Sequence, residues 1–226
     1  VGAVNIGNTP GGTAIITAST NITCNGANNG NLTASMIGGT PNFTYNWSPS
    51  GQTTAVASNL APGTHTCIIT DNFGCISSVS ATLIQPTVLS AIMNSNNVKC
   101  FGTPTGTVSA AGTGGTFPYT YSWPGLASTF ATVPNVAAAN YTCIITDANN
   151  CSITQSITVT QPTSITLTST VTPATCNLAN GSATVTASGG TGGPAYTYSW
   201  STSSTPILGP VAAGTYTVEV KDANNC

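Results

Sequence analysis

"YTCIITDANNC", Tyr141 to Cys151, returns later in the chain as "YTVEVKDANNC", Tyr216 to Cys226. The leading tyrosine and the closing Asp-Ala-Asn-Asn-Cys are kept, while Cys143 has become Val218. With a period of two, Tyr141, Cys143 and Ile145 share one face, as do Tyr216, Val218 and Val220 in the copy. Such alternation marks a half-buried β-strand. A cysteine that valine can replace on an inward face acts as a small apolar core residue. Cys67, in "HTCIITD", has the same place, so Cys67 and Cys143 read as buried free thiols.

The copying extends along the whole chain. Cys24, Cys100 and Cys176 follow one another at 76 residues, as do Cys67 and Cys143, and Cys75 and Cys151; Cys226 comes 75 later. Trp47, Trp123 and Trp200 keep this step to within one residue, and "QPT" recurs at Gln85 and Gln161. Self-similarity at a fixed period signals a repeat architecture. In each copy "NFTYNW", "PYTYSW" or "AYTYSW" throws two aromatics and the tryptophan to one face: Phe43, Tyr45, Trp47; Tyr119, Tyr121, Trp123; Tyr196, Tyr198, Trp200. The preceding strand in the third copy sets Ala183, Val185 and Ala187 inward and breaks at a glycine pair. Short strands with frequent turn signals predict an all-β chain: a tandem array of small immunoglobulin-like β-sandwich modules. Residues 10–85, 86–161 and 162–226 are the expected modules, the third without its last strand. Residues 1–9 match 77–85 and read as the last strand of a preceding module, or as a donor strand for another subunit. A window cut from a longer array accounts for this phase.

The third module keeps only Cys176 and Cys226, so a bridge inside it has one pairing. Applied to the others, this gives Cys24–Cys75, Cys100–Cys151 and Cys176–Cys226, one disulfide in each module. Loops of roughly 50 residues closed in this way contribute about 4 kcal/mol each by chain entropy. The rival, Cys24–Cys67, imitates the immunoglobulin bridge but has no counterpart in the third module.

Composition narrows the function. Charged residues make up 3 % of the chain, two Lys and four acids with no arginine, against about 25 % in ordinary soluble proteins. Ser and Thr together number 65 of 226, so the polar surface is hydroxyl and amide. Lys99 and Lys221 are too few to neutralise phosphates, which argues against nucleic acid. No apolar run reaches the roughly 20 residues of a membrane span. No signal peptide stands at the start, "VGAVNIGNTP". Eight cysteines in small modules indicate an oxidising, extracellular setting.

No site chemistry emerges. His65, the only histidine, stands where Tyr141 and Tyr216 stand and reads as a packing residue. Asp71, Asp147 and Asp222 are one repeated position before the last cysteine, better explained by an Asx turn than by calcium, which wants six to eight oxygens. With Glu219 they complete the acids, and neither paired carboxylates, a Ser-His-Asp set nor zinc spacing is present. Sequons at Asn21, Asn31, Asn42, Asn46, Asn140, Asn150 and Asn180 are no more than this composition gives by chance. Outward Thr rows are the default solvent face of strands. The expectation is no enzyme and no cofactor or metal.

The composite pattern resembles the SprB-type repeat of Bacteroidota gliding-motility and cell-surface adhesins. Cys24, Gly30, Trp47, Gly63, Asp71 and Cys75 carry it first, and Cys176, Gly181, Trp200, Gly214, Tyr216, Asp222 and Cys226 carry it again. Cys67, Cys143 and the scarcity of charge depart from it. The resemblance implies a secreted surface protein that builds long adhesive fibres. The leading function is therefore a structural or adhesive segment of an extracellular surface protein or filament. Its partners would be neighbouring repeats of the same chain or identical subunits. The alternative is a module that grips surface glycans through end loops at 48–59, 124–135 and 201–210.

Overall fold

A computed structural model describes residues 11–191 and 195–226; the expected strand at 1–9 lies outside the described residues. Among the described residues every regular element is a strand. By contact the chain divides into two compact units: residues 1–90 with 112–120 and 146–153, and residues 91–111 with 121–145 and 154–226.

In the first unit, β1 (Thr13–Thr20), β2 (Gly30–Ile37) and β4 (Val56–Leu60) form one antiparallel sheet in the order β1-β2-β4. β3 (Thr44–Ser48), β5 (Gly63–Thr70) and β6 (Ile76–Leu83) form a second in the order β3-β5-β6. Alternation decides which side chains meet between them. Leu32, Ala34 and Met36 of β2 pack with Trp47 of β3 and with Cys67 and Ile69 of β5 in one buried cluster. Phe43 and Tyr45 lean on its edge. The indole Nε1–H of Trp47 donates to the Thr54 carbonyl at 2.9 Å, so the buried ring keeps its one polar atom satisfied.

The second unit holds most of the next repeat. β7 (Ser90–Asn96), β8 (Gly106–Thr113) and β10 (Thr132–Val136) pair in the order β10-β8-β7, and β9 (Thr120–Ser122), β11 (Ala139–Thr146) and β12 (Ser152–Val159) in the order β12-β11-β9. Val108, Trp123, Cys143, Ile145 and Val159 are buried there. The third repeat has β13 (Thr163–Thr172), β14 (Gly181–Gly190) and β16 (Ile207–Val211) in the order β13-β14-β16, beside a two-stranded sheet of β15 (Thr197–Trp200) and β17 (Val218–Lys221). Val185, Trp200 and Leu208 form its core, with Ala183, Val218 and Val220 packed against them. Two antiparallel layers around a tryptophan are the arrangement of an immunoglobulin-like sandwich.

The stretches expected to be variable end loops turn out to contain β4, β10 and β16, each closing one sheet. Register shifts in these pairings fall between Gly30 and Leu32, Pro134 and Val136, and Gly181 and Ala183. Asn59, Asn135 and Gly209 all take positive φ there. A bulge at each place interrupts the period-two pattern that would have revealed the strand.

Candidate functional site

The Asp-x-x-x-Cys turn is built alike three times. Asp71 Oδ1 accepts from the amides of Phe73 and Cys75, both at 2.9 Å, and its Oδ2 accepts from Thr40 N at 3.0 Å. Asp147 does the same with Asn149, Cys151 and Thr116, each at 2.9 Å. Asp222 accepts from Asn224 at 2.9 Å, Cys226 at 3.0 Å and Thr191 at 2.8 Å. The bond to the amide two residues on is an Asx turn. All three carboxylates are buried. The amides, Thr40 and Thr191 foremost, hold the carboxyls of Asp71 and Asp222 below the usual aspartate range against the opposing pull of desolvation. Room for the carboxylate comes from the glycine pair after the preceding strand. Gly115 and Gly190 have φ of +56° and +67°, and a Cβ on either would stand 2.6 Å from the aspartate Oδ2. The carboxylates therefore lock the backbone around the closing cysteine, each accepting three hydrogen bonds from backbone amides.

His65 fills the structural place expected of it. Its Nε2 lies 3.0 Å from the Ala61 carbonyl, matching the Tyr141 hydroxyl on Ala137 O and the Tyr216 hydroxyl on Ala212 O, both at 2.9 Å. Cys67 and Cys143 are buried and unbridged. Burial pushes both thiols up from their ordinary range, outweighing a nearby amide, so they stay protonated and inert.

The disulfides depart from the expected wiring. Cys24 is bonded to Cys151, with Cα atoms 5.7 Å apart, and Cys100 to Cys226, at 5.5 Å. Cys75 and Cys176 are free, so none of the bridges Cys24–Cys75, Cys100–Cys151 and Cys176–Cys226 forms. There are two disulfides, each joining the opening cysteine of one repeat to the closing cysteine of the next, in place of one within each module. The first unit shows the reason. From Cys24 the chain runs along β2, back along β3 and β4, and out again along β5 before reaching Cys75. Three passages leave the two thiols at opposite poles, separated by an eight-residue strand of about 25 Å. A disulfide needs Cα atoms within about 7 Å. The number of strand passages between the cysteines was the signal in the sequence that could have shown this.

Sequence reading also missed the asparagine that serves the bridge. Asn149 Nδ2 donates to the Thr23 carbonyl at 2.9 Å, and Asn224 Nδ2 to the Lys99 carbonyl at 3.1 Å. Each acceptor is the residue just before an opening cysteine. The glutamine of "QPT" has a role at the same pole: the amides of Gly26 and Gly102 donate to Gln85 Oε1 at 2.8 Å and Gln161 Oε1 at 2.9 Å. One bridge, one asparagine bond and one caged aspartate thus recur at Cys24–Cys151 and at Cys100–Cys226.

Two-layer β-modules clamped repeat to repeat define the class: a tandem-repeat β-protein. The SprB-repeat sequence model matches residues 16–52, 93–128 and 168–205, one segment in each repeat. No curated protein sequence matches the chain. Among solved structures, one from a study of Dscam isoform specificity is similar at 15 % identity and a TM-score of 0.28, covering 57 % of this chain and 40 % of that one. Dpr2 Ig1-Ig2 in complex with DIP-Theta Ig1-Ig3 gives 11 % identity and a TM-score of 0.29, covering 87 % and 82 %. Likeness of this degree carries no functional weight.

Proposed function

We propose that this segment is a structural, adhesive section of a long extracellular protein of the gliding-adhesin type, with no enzymatic role. The repeated clamp is the observation that supports this reading. The bridges enclose residues 24–151 and 100–226, and these spans overlap. Tension applied at the two ends would pass across one bridge, back along residues 151–100, and across the other. Even a fully unravelled chain would then extend by about 75 residues' worth, roughly 250 Å, where the reduced chain reaches roughly 770 Å. A surface fibre under load gains from such a brake. Its low charge lets neighbours lie close together with little repulsion, and its three repeated aspartates are committed to turns.

Single-molecule stretching of the 226-residue chain, with and without reductant, tests the mechanical part. The reading expects a contour length about threefold longer after reduction; equal lengths would refute it. Beads coated with the chain test adhesion, and retention on glass or cell surfaces no better than on blocked beads would remove the adhesive part.

A further inference from the structure

The second repeat departs from the first where β9 ends. β3 continues through Trp47 to Ser48, which pairs with Thr66 of β5. β9 stops at Ser122, and the chain leaves it through Pro124, Gly125 and Leu126. The turn is closed by the Leu126 amide on the Trp123 carbonyl at 2.9 Å. The first residues of β11 are thus flanked by a turn instead of a strand. A cavity of about 540 Å³ lies there, lined by residues 123–126 and 139–142, all of them in the second unit.

The lining is mixed and neutral. Leu126 and the Tyr141 ring, both half-buried, give apolar surface, and the Tyr141 hydroxyl is anchored on the Ala137 carbonyl. Asn140 is exposed, and its Oδ1 accepts from Thr158 Oγ1 at 3.4 Å. The Thr142 and Ser156 hydroxyls share one bond of 3.0 Å. Two hydroxyls joined by one bond spend one proton and keep the other, with spare lone pairs, for a ligand. Among the described residues none that lines the cavity is charged. Ala127, next to Leu126, holds φ at +47°, where the matching turn of the first repeat has Gly51 at +68°. A non-glycine residue in this region is strained, and such strain gathers at ligand clamps.

We infer that this cavity binds a sugar unit of a neutral polysaccharide. A pyranose carries hydroxyls round its edge and C–H groups on its faces. The first suit Asn140 and Thr142, the second Leu126 and the Tyr141 ring. The volume lies within the roughly 300–1,000 Å³ of small-molecule pockets, where apolar walls and a few placed polar groups are the rule. An anionic polymer would bring charge to a cavity with no cation to pair it, which is costly. From the cavity the pairs Asn140–Thr158 and Thr142–Ser156 lead across to β12, giving the next sugar units of a longer chain hydroxyl partners. This inference rests on the adhesive reading and specifies the polymer that would be gripped.

The test titrates the purified chain with neutral hexasaccharides of glucose, mannose and galactose, read by NMR amide shifts. At least one should move the signals of residues 124–126 and 139–142, with a dissociation constant on the order of 1 mM. Hexagalacturonate, the anionic counterpart, should not. Asn140→Ala and Thr142→Val should each weaken binding roughly five- to tenfold, as the loss of one hydrogen bond implies, with the melting temperature unchanged. Thr66→Val, the same change at the matching place in the first repeat, should leave affinity as it was. No shift from any neutral hexasaccharide at about 10 mM, equal binding of the anionic one, full affinity in both N140A and T142V, or loss of affinity in T66V would overturn the inference. Coated beads that are retained on surfaces while no saccharide binds would remove this site and leave the adhesive reading standing; saccharide binding without retention would do the reverse.

Discussion

Replacing Cys151 with serine discriminates between the two wirings of the first repeat. In the structure Cys151 holds Cys24, so C151S releases the Cys24 thiol. A monomer unfolded in denaturant without reductant should titrate four thiols, namely Cys67, Cys75, Cys143 and Cys176. C151S should titrate five and C75S three. Wiring within modules would give two for the parent and three for C75S, so the parent count alone decides. The energy also follows from the loop. A bridge spanning 127 residues removes about 5 kcal/mol of unfolded-state entropy. At about 2–4 °C per kcal/mol for 150–250 residues, the double variant C24S/C151S should melt roughly 10–20 °C lower by calorimetry. This is an upper bound, because residues 100–151 belong to both loops and their constraint is counted twice. Two titratable thiols in the parent, or a melting point unchanged in the double variant, would refute the reasoning.

Three further outcomes follow from the core and the turns. Cys67→Val and Cys143→Val should each change stability by less than about 1.5 kcal/mol, since the third repeat uses valine at this position, whereas Cys67→Ser sets an unpaired hydroxyl in the core and should cost more in urea unfolding. Gly115→Ala places a Cβ 2.6 Å from Asp147 Oδ2 at φ +56° and should destabilise by about 1–3 kcal/mol in the same assay. The carboxyls of Asp71 and Asp222 titrate below their unfolded value of about 3.9, so their contribution is full above that pH and fades as pH falls through the depressed folded values. Melting temperature should therefore drop below about pH 4 in the parent, and Asp222→Asn should flatten the drop; an identical acid profile in the variant would sink this assignment.

Alternation was enough to find the inward faces. Trp47, Trp123, Cys67 and Cys143 are buried where a period of two puts them, because a strand has only two faces and one of them meets the other sheet. The two sheets in each repeat follow from the same pattern. β4, β10 and β16 were hidden because a bulge shifts their parity midway, and parity is all that a sequence pattern records.

The 76-residue step, the all-β sandwich, the core thiols and the aspartate turn were all carried by local order along the chain, where alternation and turn chemistry act over a few residues. Which sulfur meets which was not. That depends on the pole at which each cysteine emerges after several passages of the sheets, and on which neighbouring repeat presents its turn there. Contacts made across 126 or 127 residues of chain leave no local trace in the sequence, and tertiary structure alone decided them.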